Sequence, residues 1–175
     1  MIPGPGNDDP DHWLARWQTR LSTARLVSEA DWNRQGPSDP AGTALAAIEA
    51  AHKPVVLVAH STGVLPAILA AQLASKRIAG AFFVSPPELE GSSALARKLR
   101  KLGAYPRDPL SFPSMVIASR NDPHGSYDHA GDLANAWGSL LVDAGDSGHL
   151  NGQSGHGPWP EGTMVFAQFI ARLTP

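Results

Sequence analysis

The pattern of apolar and polar positions alternates between two periods along the whole chain. In "DHWLARWQTRL" the residues Trp13, Trp17 and Leu21 recur four apart, which predicts a helix with one buried face. "TARLVS" predicts a short strand, and "DPAGTALAAIEAAH" predicts a second helix with Asp39 as its N-cap. "PVVLVAH" is an unbroken β-branched run, the strongest strand signal, and a helix from about 62 to 75 follows it directly. "AGAFFVS" (79–85) and "SMVIAS" (114–119) predict two more buried strands. "SYDHAGDLANAWG" reads as a helix ending at Gly138, "SLLVDAG" as the last strand, and "WPEGTMVFAQFIARL" as a helix with Pro160 in its first turn, where a missing N–H costs nothing.

Strands that are apolar throughout, alternating with helices, imply an α/β fold: a mainly parallel sheet covered by helices on both faces. Two long irregular connections interrupt the alternation, at 86–113 and 145–160. Connections of such length are often functional. With 175 residues and no repeat, a single domain over 1–175 is expected.

Composition narrows the function mostly by exclusion. The formal net charge is −2 and both signs are scattered, so neither nucleic acid nor an anionic membrane is an expected partner. The cluster "RKLRKLG" (97–103) fits a solvated helix face. The absence of cysteine excludes disulfides, iron–sulfur clusters and thiolate zinc sites. "MIPGPGNDDPDHW" carries neither a basic n-region nor an apolar h-region, and no apolar run is long enough to span a membrane, so a cytoplasmic location is expected. No H-E-x-x-H, no phosphate-binding G-x-x-x-x-G-K-[ST] and no complete G-x-G-x-x-G occurs; no metal or organic cofactor is expected.

Ligands of parallel sheets bind beyond the carboxyl ends of the strands. Ser61 lies there, in A-H-S-T-G, one residue away from the G-x-S-x-G pattern because Ala59 replaces the first glycine. That pattern makes a tight strand-to-helix turn that needs small neighbours and exposes the serine oxygen. Alanine is nearly as small, and Gly63 keeps the second position open. Such a turn also aims a helix N-terminus and the N–H of Thr62 at an oxyanion. The plain alternative is a serine N-cap.

A serine hydroxyl needs a base. His149, in a glycine-bounded loop after the last strand, is the candidate and His156 its rival in the same loop. His60 is expected to pack at the strand edge, and His12, His52, His124 and His129 to be structural or solvated. The base needs a carboxylate to hold its tautomer. Asp122, leaving the strand "SMVIAS" through "RNDPH", is the candidate, with an Asx turn before Pro123 as its ordinary role. Asp143 and Asp146 are alternatives close to His149. The order Ser61…Asp122…His149 is that of α/β-hydrolases.

"PGPGNDDPDHWLARW", "PVVLVAHSTG", "VIASRNDPHGSYDHA" and, most specifically, "GHLNGQSGHGPWPEG" together resemble small α/β-hydrolases of the retinoblastoma-binding-protein-nine type over nearly the whole chain. The resemblance implies a compact α/β-hydrolase fold with minimal or no cap and a triad of Ser61, Asp122 and His149. It also implies serine-hydrolase activity on a small ester or amide. Two departures stand out. Only Met1 and Ile2 precede Pro3, so the first strand is expected to be very short. Pro5 stands in the turn where this fold takes its second oxyanion N–H, and proline has none, so Gly6 or Asn7 is expected to donate instead. The segment 86–113 and the tryptophans Trp13 and Trp159 are candidates to line a pocket, Trp159 as a substrate contact and Trp13 rather as core. A fold that binds without efficient turnover is the alternative function. The partner-binding motif of the family's name-giving member needs a cysteine that this chain lacks.

Overall fold

The computed structural model describes residues 1–4, 9–27, 39–90 and 94–173. Four strands, β1 (Val55–His60), β2 (Ile78–Val84), β3 (Ser114–Ala118) and β4 (Leu140–Asp143), pair in that order, every pair parallel. Ile2 extends the sheet beyond β1 by a single parallel bridge to Ala59, so the very short first strand is reduced to one residue. The strand expected over 23–28 does not form in its described part; Val27 donates one hydrogen bond to Met1 O and is otherwise held by burial.

Six helices surround the sheet among the described residues: α1 (Trp13–Arg20), α2 (Pro40–Glu49), α3 (Val64–Leu73), α4 (Ala94–Arg100), α5 (Tyr127–Trp137) and α6 (Pro160–Leu173). Their ends follow local chemistry. Asp39 caps α2 by accepting from Gly42 N–H, and Ser126 caps α5 by accepting from His129 N–H. Gly138 ends α5 in the left-handed conformation, where a side chain would be strained. α1 buries Trp13, Leu14 and Trp17, but Leu21 falls just past the helix and is exposed, because the chain leaves the helical path there. The connection expected to be irregular between β2 and β3 contains α4. This short helix buries Ala96 and Leu99 and turns the basic residues Arg97 and Arg100 outward, as the cluster's spacing suggested.

Strands laid down in sequence order, with right-handed crossovers, must place their connecting helices on one face. Accordingly α3, α4 and α5 share a face with α2, over a core of Leu57, Ala59, Ala81, Phe83, Val116 and Ala118. Strand alternation turns Val58, Phe82, Val84, Met115 and Ile117 to the other face. There α1 and α6 bring Trp13, Trp17 and Phe169, joined by Trp159. No helix among the described residues is long and apolar enough to cross a membrane.

Candidate active site

The carboxyl end of β1 runs straight into a 3-10 turn, Ser61–Gly63, and then into α3. Ser61 adopts φ +54, a left-handed conformation unusual for a residue with a side chain. The turn is tight because backbone presses on it: a Cβ on Gly63 would lie 2.3 Å from Ile2 O and 2.7 Å from Pro3 O. Gly63 is therefore required at this position, and Ala59, wholly buried under the turn, is small enough to stand where the pattern has glycine.

The loops after β3 and β4 meet over this turn. His149 Nε2 lies 2.7 Å from Ser61 Oγ, and His149 Nδ1 lies 2.8 Å from both carboxylate oxygens of Asp122. A carboxylate only accepts, so the Nδ1 proton points to Asp122 and Nε2 is left to accept the Ser61 proton. Asp122 also accepts from His124 N–H at 2.9 Å, the Asx turn expected before Pro123. Both side chains of the His149–Asp122 pair are nearly out of solvent, at 8% and 3% exposure, which strengthens their interaction.

Several bonds bring the two loops into register. Asn121 Oδ1 accepts from Ser119 Oγ (2.9 Å) and from Gly148 N–H (2.7 Å), one residue before the imidazole. Ser119 Oγ in turn accepts from Ser147 N–H, and Gly145 O accepts from Arg120 N–H. Gly148, at φ +57, faces Ser154 so closely that a Cβ would come within 2.7 Å of it. Nothing in the sequence marked Asn121. Its amide reads as an ordinary turn residue until the β4 loop is seen beside it.

The remaining candidates sort by position. His156 interacts with Ser154 Oγ and stands edge-on to Trp159. Asp143 pairs with Arg120 and caps Gly145. His60 is buried at the end of β1, as expected, and its Nε2 donates to His149 O. His12 caps α1 through Nδ1, and its Nε2 is buried with no partner among the described residues. Burial, opposed by the Asp9 carboxylate and reinforced by the His149 imidazole, lowers the His12 pKa to about 4; burial first, then the imidazoles of His149 and His12, hold His60 well below the ordinary histidine value. Thr62 Oγ1 and Ser85 Oγ, at the ends of β1 and β2, are also buried without partners among the described residues, and Ser85 shares the left-handed strain of Ser61 at φ +50.

Trp159 is 6% exposed, packs edge-on to Trp13 and parallel to Trp17, and also lines a cavity of about 360 Å³ with Val142, Ser147, His156 and Val165. Trp13 is core, as read. Pro5, Gly6 and Asn7, on which the second oxyanion donor depends, lie outside the described residues. Among the described residues no group of three or more acidic or histidine side chains is arranged to hold a metal ion.

A hydroxyl facing an imidazole that is itself held by a carboxylate can lose its proton as it attacks an electrophilic carbon. Among curated proteins none matches this sequence. The solved structures it resembles include a protein named as a YdeN-like hydrolase from Pectobacterium atrosepticum, 32% identical with a TM-score of 0.83, covering 99% of this chain and 90% of that one. The ydeN gene product of B. subtilis is 20% identical with a TM-score of 0.72, covering 91% of each chain. A thermophilic esterase from Thermogutta terrifontis is 15% identical with a TM-score of 0.70, covering 99% of this chain and 89% of that one. The parallel sheet, its helices and these likenesses make this a compact α/β-hydrolase fold. The family model described as "Serine hydrolase" matches residues 1–168, and the chain belongs to that family.

Proposed function

We propose that this serine hydrolase cleaves small esters or amides through an acyl-enzyme on Ser61. The observation that carries the reading is the relay of 2.7 Å from Ser61 Oγ to His149 Nε2 and 2.8 Å from Nδ1 to Asp122. Ser61 Oγ attacks the carbonyl carbon while its proton passes to His149 Nε2, and Asp122 stabilises the imidazolium that forms. Collapse of the tetrahedral intermediate breaks the bond to the alcohol or amine, which leaves with that proton. Water then repeats the cycle on the acyl group, with His149 again as base, and releases the carboxylic acid.

The oxyanion is assigned to Thr62 N–H and a second donor at Gly6 or Asn7. The close approach of the Ile2 and Pro3 carbonyls to Gly63, which puts described residues just upstream of Gly6 beside the nucleophile turn, supports this. Within the family, the "GHLNGQSGHGPWPEG" stretch supports kinship with the retinoblastoma-binding-protein-nine type. Among its structural relatives, the T. terrifontis protein is an esterase, which favours esters as first substrates to try.

A fluorophosphonate probe should label the wild-type protein and leave Ser61→Ala unlabelled, and p-nitrophenyl butyrate turnover should vanish in the same variant. Equal labelling of both proteins, or turnover that Ser61→Ala and His149→Ala retain, would leave a binding protein in place of an enzyme.

A further inference from the structure

We propose that Trp13 and His60 act together as a clamp on the peptide that carries the base, and are positioning residues for His149. Two consecutive carbonyls are gripped by buried ring donors from separate elements. His149 O accepts from His60 Nε2 at 2.9 Å, and Leu150 O accepts from Trp13 Nε1 at 2.9 Å. A carbonyl only accepts, so both ring nitrogens carry a proton. For His60 this selects the Nε2–H tautomer, and burial keeps the ring neutral and so suited to the role.

The gripped peptide is strained. Leu150 sits at φ +49 with its side chain wholly buried, a conformation that persists in a branched residue only where the surroundings over-determine it. On the upstream side Gly148 N–H is held by Asn121. The backbone is therefore pinned before, at and after residue 149, which fixes the direction of its Cα–Cβ bond and delivers Nε2 to Ser61. The donors are themselves immobile. Trp13 packs against Trp17 and Trp159 with ring centroids 4.8 and 5.0 Å away, and the His60 ring lies between those of His12 and His149, 5.0 Å from each.

The inference deepens the proposed hydrolase reading and rests on it for its kinetic test. Trp13→Phe keeps the ring in the packing and removes the donor. It should lower kcat toward p-nitrophenyl butyrate by about 10- to 100-fold, the scale of a misplaced catalytic group, with KM nearly unchanged. The low-field proton resonance of His149 Nδ1–H against Asp122 should broaden in the same variant. Trp17→Phe is the control: its Nε1 donates to Thr163 Oγ1, away from the site, and both readouts should match wild type. His60→Gln should retain more kcat than His60→Leu, since an amide N–H replaces the lost donor; this pair carries the test should Trp13→Phe not fold. Equal kcat in Trp13→Phe and Trp17→Phe with an unchanged resonance, or equal kcat in the two His60 variants, would overturn the clamp. A wild-type protein that never labels at Ser61 would sink the hydrolase reading instead, while the resonance, which needs no substrate, would still judge the clamp.

Discussion

The two faces of the sheet are built from different materials, and each serves a different member of the site. One face is aliphatic and close-packed where it meets the nucleophile: Ala67, Ala70 and Ala71 let α3 lie directly on the strands, α3 begins where the Ser61 turn ends, and Phe83 and Tyr105 of the same face gather instead on Trp137 of α5. The other is aromatic beside the site: Trp13, Trp17, Trp159, Phe82 and Phe169 pack between the sheet and α1 and α6. Small side chains bring a backbone near, and that is what a sharp turn requires. Large rings with polar edges fill volume and still offer N–H groups, and that is what holds the His149–Leu150 peptide. The nucleophile is thus set by close approach and the base by ring donors.

The largest effect should come from the residue that belongs to neither face. Asp122→Asn presents an amide to Nδ1, favours the wrong imidazole tautomer and should lower kcat by ~10³–10⁴-fold with little change in melting temperature. A variant as active as wild type would detach the relay from function. On the aliphatic side, Gly63→Ala forces a Cβ into Ile2 O and should cost about 3 kcal/mol in denaturant unfolding, since the obstacle is backbone and cannot yield cheaply. A cost near zero would mean that the turn is not set by close approach.

The aromatic side also makes a pH-dependent prediction. Buried neutral His12 titrates near pH 4 in the folded chain and near 6.5 once unfolded. Between those values the unfolded state binds more protons, so stability is full above about pH 6.5 and falls as the pH drops toward 4, by about 1 kcal/mol per pH unit for one such group. His60 adds in the same direction. His12→Asn keeps a capping acceptor for Leu14 N–H and should flatten the slope of unfolding free energy against pH; an unchanged slope would remove His12 from the account. The smallest effect is expected where a single polar bridge joins the loops. Asn121→Ala should cost about 1 kcal/mol and lower kcat severalfold, measured by melting and turnover.

Most of the elements were legible in the chain because their signals are local. "PVVLVAH", "AGAFFVS" and "SMVIAS" became β1, β2 and β3 within a residue or two, and Asp39, Pro160 and Gly138 marked helix ends by their own backbone preferences. α4 was only half legible: the basic cluster at 97–103 read as a helix face, but its apolar positions, Ala96 and Leu99, are too few to establish a period, so the surrounding segment read as an irregular connection.

By itself the sequence determined the strand-to-helix seam at Ser61, the small residues that permit it, and a short roster of imidazoles and carboxylates at the strand ends. The chain's motifs preferred His149 over His156 and Asp122 over Asp143 and Asp146, and the tertiary structure brings the preferred pair together, His149 at the hydroxyl and Asp122 at His149 Nδ1. Periodicity is carried by neighbours in the chain, whereas the meeting of residues 61, 122 and 149 depends on sheet register and on carbonyls gripped from α1 and β1. Those contacts exist only once the two faces have closed on the sheet.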